Sequence, residues 1–135
     1  RDLCAMMVCY TTIYAKKRVQ QAMSSKRSQW CEFDKPTRKY IQKRDMDRCI
    51  YCGRTGALQI AHIFVSRAHG GKGDARNGVL LCVWCHNILD NPIGDAACER
   101  SANIAKHCRK YLQRKEHIDD VDTLCKELIY DKWKN

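Results

Sequence analysis

Four of the ten cysteines come as two C-x-x-C pairs, Cys49/Cys52 and Cys82/Cys85. A two-residue spacer turns both sulfurs of a pair toward one point, and two such pairs supply the four thiolates of a tetrahedral zinc site. Four sulfurs fill the shell and leave no position for water, so this zinc reads as a structural cross-link, not a catalytic centre. In small zinc domains such binding contributes folding free energy on the order of 10 kcal/mol. Residues 53–81, 29 in all, separate the two pairs. Simple modules with two C-x-x-C pairs hold them about 15–20 residues apart. Something functional is therefore expected in the insert.

From the first pair onward the chain reads CIYCGRTGALQIAHIFVSRAHGGKGDARNGVLLCVWCHNILDNP, Cys49 to Pro92. An apolar run ends at His62-Ile63. A Gly-Gly loop follows, then Asn77 and a second apolar run, Val79-Leu80-Leu81, which leads into Cys82 and His86. In this order of elements the segment resembles the HNH endonuclease family, the ββα-metal nucleases, in its zinc-knuckled form. The likeness covers roughly residues 39–92, including Arg44-Asp45 ahead of the first knuckle. The tail, with Asp90-Asn91 and then a helix ending at Tyr111-Leu112, is similar to small phage-type members.

The resemblance implies a metal-dependent DNA endonuclease that hydrolyses phosphodiester bonds, by nicking or by double-strand cleavage. His62 takes the place of the general base; an imidazole near its ordinary pKa of about 6.5 can accept a proton from water at neutral pH. Asn77 matches the middle Asn, whose amide closes the loop onto backbone and so fixes the orientation of His62. His86 matches the final His, a ligand of the catalytic divalent metal. Asp90, one helical turn on and on the same face, corresponds to a further ligand position in some members. A His and a carboxylate so spaced suit Mg²⁺ or Mn²⁺ with waters completing the shell. One position departs from the pattern. Many members carry an Asp or His ligand immediately before the general base, where this chain has Ala61. Either His86 and Asp90 then hold the metal with more water, or activity is weakened or lost; His69 and Asp74 are the loop's candidates for a replacement ligand. The loop Ser66–Arg76 also offers Arg67, His69, Lys72 and Arg76, read as DNA-binding side chains that position a duplex through its phosphates. Its glycines would let backbone approach those phosphates closely.

Elements must hold these residues in place. Pro36 suits the first turn of a helix running to about Asp45. Ala57–Phe64 and Gly78–Cys82 read as strands, with a helix opening at Trp84. Ile104, Ala105, Cys108, Tyr111 and Leu112 form one helical stripe. Ile118, Val121, Leu124, Cys125, Leu128 and Ile129 form another, with Asp119, Asp120 and Asp122 at its start, where negative charge suits the dipole. In residues 1–15 helix and strand readings compete, and the shared face of Leu3, Met6, Met7 and Tyr10 favours helix. Lys16–Arg27 reads as a basic helix, either a solvated face or a phosphate-contacting arm. The expected fold is α+β: a ββα-metal (HNH) core stapled by a Cys4 zinc site and flanked by N- and C-terminal helices. Its expected division is an arm at 1–38, a nuclease core at 39–92 and packing helices at 93–135.

Composition bounds the partners. In 135 residues, 25 Lys and Arg stand against 15 Asp and Glu, a formal charge of +10. Four thiolates and one Zn²⁺ would lower it to +8. Such a surplus points to a polyanionic partner, nucleic acid first and an acidic membrane surface second; the resemblance implies double-stranded DNA, with a homodimer or a larger nucleic-acid-processing assembly left open. Hydrophobic residues at 44% and charged residues at 30% are ordinary globular usage and exclude a wholly disordered chain. No apolar run reaches the roughly 18–20 residues of a membrane span. The apolar stretch Leu3–Ala15 lacks a basic flank before it and a clear cleavage site after it, and Arg1 in place of Met points to trimming or truncation. Cys4, Cys9, Cys31, Cys98, Cys108 and Cys125 lack knuckle spacing and read as buried thiols in a reducing compartment. The localisation expected is cytoplasmic, with phage origin implied by the resemblance. A non-catalytic, zinc-stabilised DNA-binding module and a protein-interaction scaffold are the rival readings.

Overall fold

The computed structural model describes residues 25–133. The apolar N-terminal segment, most of the basic stretch Lys16–Arg27, and Cys4 and Cys9 lie outside them. Helix α1 spans Ser25–Cys31 and α2 spans Lys35–Arg44. Asp34 caps α2, its carboxylate accepting from the Thr37 backbone N–H at 2.9 Å. Pro36 sits in the first turn, where its missing N–H costs nothing.

Strands β1, Leu58–His62, and β2, Gly78–Cys82, pair antiparallel with Leu58 opposite Cys82, Ile60 opposite Leu80 and His62 opposite Gly78. β1 is shorter at both ends than the expected 57–64. Ala57 adopts a positive φ of 52°, and the Phe64 N–H donates to the Asn77 side chain instead of a strand partner. Helix α3, Val83–Asp90, opens directly from β2, then α4 covers Asp95–Lys115 and α5 covers Val121–Leu128. Asp120 caps α5 through the Thr123 N–H at 3.1 Å. Among the described residues no helix is long and apolar enough to cross a membrane.

Every residue of β2 is buried, because helices cover the sheet on both sides. On one side Ala61, Val79 and Leu81 pack with Cys85 of α3 and with Ile104, Cys108 and Leu112 of α4. On the other side Leu80 meets Phe33 and Ile41. A smaller cluster of Val65, Leu124 and Leu128 docks α5 onto the loop after β1. The stripe read from Ile104 to Leu112 is therefore the face that covers the sheet.

A polar hub joins these layers. Arg44, with its side chain 6% exposed, pairs with Asp45 at 2.7 Å and Glu116 at 2.9 Å. It also donates to the carbonyls of Ala75 and Gly78. Burial alone would weaken its charge, but the two carboxylates raise its pKa instead. Asp45 in turn accepts from the Leu80 N–H and the Tyr111 hydroxyl, so that both of its oxygens are engaged inside the core. Of the remaining cysteines among the described residues, Cys31 and Cys108 are buried as expected, with burial pushing the Cys108 thiol up to about 12. Cys125 is only partly covered, at the margin of the Leu124–Leu128 cluster it packs against, and Cys98 is exposed, away from the buried Ile104–Leu112 stripe of its helix.

Candidate active site

The hairpin and the start of α3 bring the four knuckle cysteines together. Their sulfurs all lie within 4.8 Å of one another. A zinc tetrahedron with bonds of about 2.3 Å has sulfur–sulfur edges near 3.8 Å, so the cluster fits that ion. Both knuckles turn back on themselves: the Cys52 N–H approaches the Cys49 sulfur and the Cys85 N–H approaches the Cys82 sulfur, each at 3.5 Å. Burial works against ionisation of Cys49, but backbone N–H groups of Cys52, Cys82 and Tyr51 outweigh it and lower that thiol to about 7. Cys85 is raised, by burial first and then by its sulfur neighbours. Four thiolates at this range repel unless a cation neutralises them. The donor set thus suits a divalent, thiophilic metal.

Away from the knuckles, His62, His86, Asp90, Arg67 and His69 line one open cleft. His62 ends β1, and its Nε2 donates to the Cys31 carbonyl at 2.9 Å. A carbonyl can only accept, so Nε2 carries the proton and Nδ1 keeps its lone pair. The Phe33 ring lies against the imidazole, centroid to centroid at 4.7 Å. Burial holds the His62 pKa below its ordinary value, against the opposing pull of the Cys31 carbonyl. The side chain is accordingly a neutral imidazole with a free acceptor at neutral pH, the state a general base requires.

His86 projects from α3, with Asp90 one turn further on. His86 Nε2 stands 2.9 Å from Asp90 Oδ2, and its Nδ1 stands 2.7 Å from Gln59 Oε1. An imidazole nitrogen and a carboxylate oxygen at that distance need a proton or a cation between them. A nitrogen and an oxygen one turn apart beside a solvent-open cleft fit Mg²⁺ or Mn²⁺ as part of a shell otherwise made by water. Ala61 contributes no donor and is fully buried among the core residues.

Asn77 is fully buried and works on the loop. Its oxygen accepts from the N–H groups of Phe64 and Val65 at 2.8 and 3.0 Å. Its amide donates to the carbonyls of Val65 and Lys72. Asn77 thus closes the loop onto backbone, and the His62 ring nitrogen is tethered separately, by the Cys31 carbonyl. Sequence reasoning missed Cys31, Phe33 and Gln59. The first two stand about thirty residues upstream of His62, with no local pattern to mark the contact. Gln59 does carry a signal, since it shares a strand face with Ala61.

The loop residues divide. Arg67 and His69 face the cleft, His69 with its Nδ1 2.6 Å from the Ser66 hydroxyl. Lys72 and Arg76 are not among the residues lining it. Lys72 lies over the Trp30 ring at 4.8 Å. Arg76 pairs with Asp74 at 3.1 Å and Glu127 at 3.2 Å, which also occupies Asp74. Nor are the loop glycines an opening toward phosphate. A side chain at Gly71 would strike the Val65 carbonyl, and one at Gly73 the Glu32 carbonyl. Their smallness serves close internal packing.

The loop is also clamped from both flanks. The Trp30 indole N–H is shared between the carbonyls of Gly70 and Leu128. The Gly73 N–H donates to the Trp30 carbonyl, the Lys72 N–H to Leu128, and the Tyr130 N–H to Gly70.

Among known proteins, residues 49–91 match the family model described as HNH endonuclease. No curated protein and no solved structure matches the chain.

Proposed function

With an HNH endonuclease domain at residues 49–91 as its premise, we propose that this chain is a metal-dependent DNA endonuclease. One divalent metal, Mg²⁺ or Mn²⁺, would be held by His86 and Asp90. Bound there, it would polarise the scissile phosphate and stabilise the leaving 3′ oxygen. His62 Nδ1 takes a proton from the attacking water, while the Cys31 carbonyl holds the other nitrogen in its protonated form. Asn77 keeps the loop at a fixed distance from β1, so Arg67 and His69 meet the phosphate backbone beside His62. The Cys4 zinc supplies no chemistry; it joins the strand hairpin to α3 and so sets the spacing between His62 and His86. Residues 39–92 would be the catalytic core, with the helices before and after it as supports. Double-stranded DNA is the partner, in a cytoplasmic setting of bacterial host or phage.

The observation that carries this reading is the shared cleft of His62, His86 and Asp90. A non-catalytic zinc-stabilised DNA binder has the knuckles and the charge but no need for that convergence. The deciding experiment is relaxation of supercoiled plasmid in Mg²⁺ or Mn²⁺. The wild type should cut, and His62→Ala should lose about 10²–10⁴-fold in rate while its circular dichroism and zinc content stay unchanged. Equal rates for the two proteins would remove the catalytic assignment.

A further inference from the structure

We propose that Gln59 is a positioning residue of the divalent-metal site: its amide oxygen holds the proton of His86 on Nδ1, leaving the Nε2 lone pair for the cation shared with Asp90. This rests on the metal-site reading above and names a part of that site which the family pattern does not supply.

Alternation along β1 puts Gln59 and Ala61 on one face of the strand. Ala61 is sealed in the core and bears no donor. Gln59 is exposed at the cleft and contributes the polar group this face offers to α3. Both imidazole nitrogens of His86 are engaged, Nδ1 with Gln59 Oε1 at 2.7 Å and Nε2 with Asp90 Oδ2 at 2.9 Å. A neutral imidazole has one N–H to give. Given to Asp90, it would tie the two ligands to each other and close the site. Given to Gln59, it leaves nitrogen and carboxylate oxygen both bare and facing one another, which is the arrangement a cation binds. Partners of this kind, standing behind a metal ligand, commonly change metal affinity 10–100-fold when lost.

The test uses the full, zinc-loaded chain without DNA and follows Mn²⁺ binding by electron paramagnetic resonance. Long-range ¹H–¹⁵N spectra of His86 are recorded before metal is added. Gln59→Leu should weaken Mn²⁺ about 10–100-fold and shift the ¹⁵N pattern away from the Nδ1–H tautomer, whereas Gln59→Glu, which keeps the acceptor oxygen, should bind within about threefold of wild type. If Gln59→Leu binds Mn²⁺ like the wild type while His86→Ala does not, the role of Gln59 is overturned and the metal site stands. If His86→Ala itself leaves Mn²⁺ binding unchanged, the site reading fails and this inference falls with it.

Discussion

A single imidazole shows how far environment decides chemistry here. His62 is partly covered, packed against Phe33 and bonded through Nε2 to a carbonyl. Burial lowers its pKa, so in the folded protein it protonates at a pH below the ordinary value of about 6.5. With His62 as the proposed base, the acid limb of the pH–rate profile should lie below 6.5, because that base would be lost only once His62 is protonated. For stability, the unfolded chain binds this proton more readily than the native one. The contribution is therefore present above about 6.5 and is lost as pH falls below it through the depressed folded-state pKa. NMR titration of His62 should give the depressed value directly. Phe33→Leu, which thins the cover over the ring, should move both the titration and the acid limb upward toward 6.5. An unmoved titration in that variant would assign the shift elsewhere. The knuckle spacing and the one-turn separation of His86 and Asp90 were legible without coordinates, since local geometry alone brings such residues together. The Cys31 tether was not, because a backbone carbonyl leaves no trace in residue identity.

Among the elements, the hairpin and α3 depend on the zinc cross-link most directly. Cys49, Cys82 and Cys85 are buried, and Cys82 both ends β2 and caps α3. Four sulfurs lie within 4.8 Å of one another, and with the cation removed they would need protonation or separation to relieve their repulsion. Stripping zinc with a strong chelator should lower the thermal midpoint by about 10 °C or more, a shift corresponding to a few kcal/mol in a domain of this size. Differential scanning calorimetry before and after chelation, with zinc added back, measures it. A midpoint indifferent to chelation would mean that the apolar core alone holds the hairpin. Strand β2 and helices α2 and α5 were readable from caps and apolar stripes, with boundaries within a few residues; of α4 the stripe Ile104–Leu112 was readable but not the start at Asp95. The ends of β1 were not, because a positive φ at Ala57 and the side chain of Asn77 terminate the strand, and both depend on tertiary neighbours.

At the scale of the whole molecule, a formal charge of +10 favours a polyanionic partner, but placement decides which cations are free to meet one. Arg67 stands exposed at the cleft, whereas Arg76 is spent on Asp74 and Glu127. Arg67→Ala should weaken duplex binding and flatten its salt dependence by about one in log–log slope. Arg76→Ala should leave that slope unchanged and instead loosen the contact with α5. Fluorescence anisotropy across a salt series separates the two. If both variants changed the slope alike, the loop would bind DNA as a whole and the partition seen here would not hold in solution. The charge surplus was plain from composition; its partition between substrate-facing and internal cations was not, because composition carries no directions.

The tether from Cys31 has a consequence for anyone who would transplant this module. Residues 49–91 contain the knuckles, His62, His86 and Asn77, yet the group that sets the protonated nitrogen of His62 stands upstream of them and the loop's clamp lies on either side. A minimal cassette cut at the motif's borders would keep the knuckle sulfurs and lose the tether that orients His62. Working chimeras of this module need to be spliced outside α1 and α5.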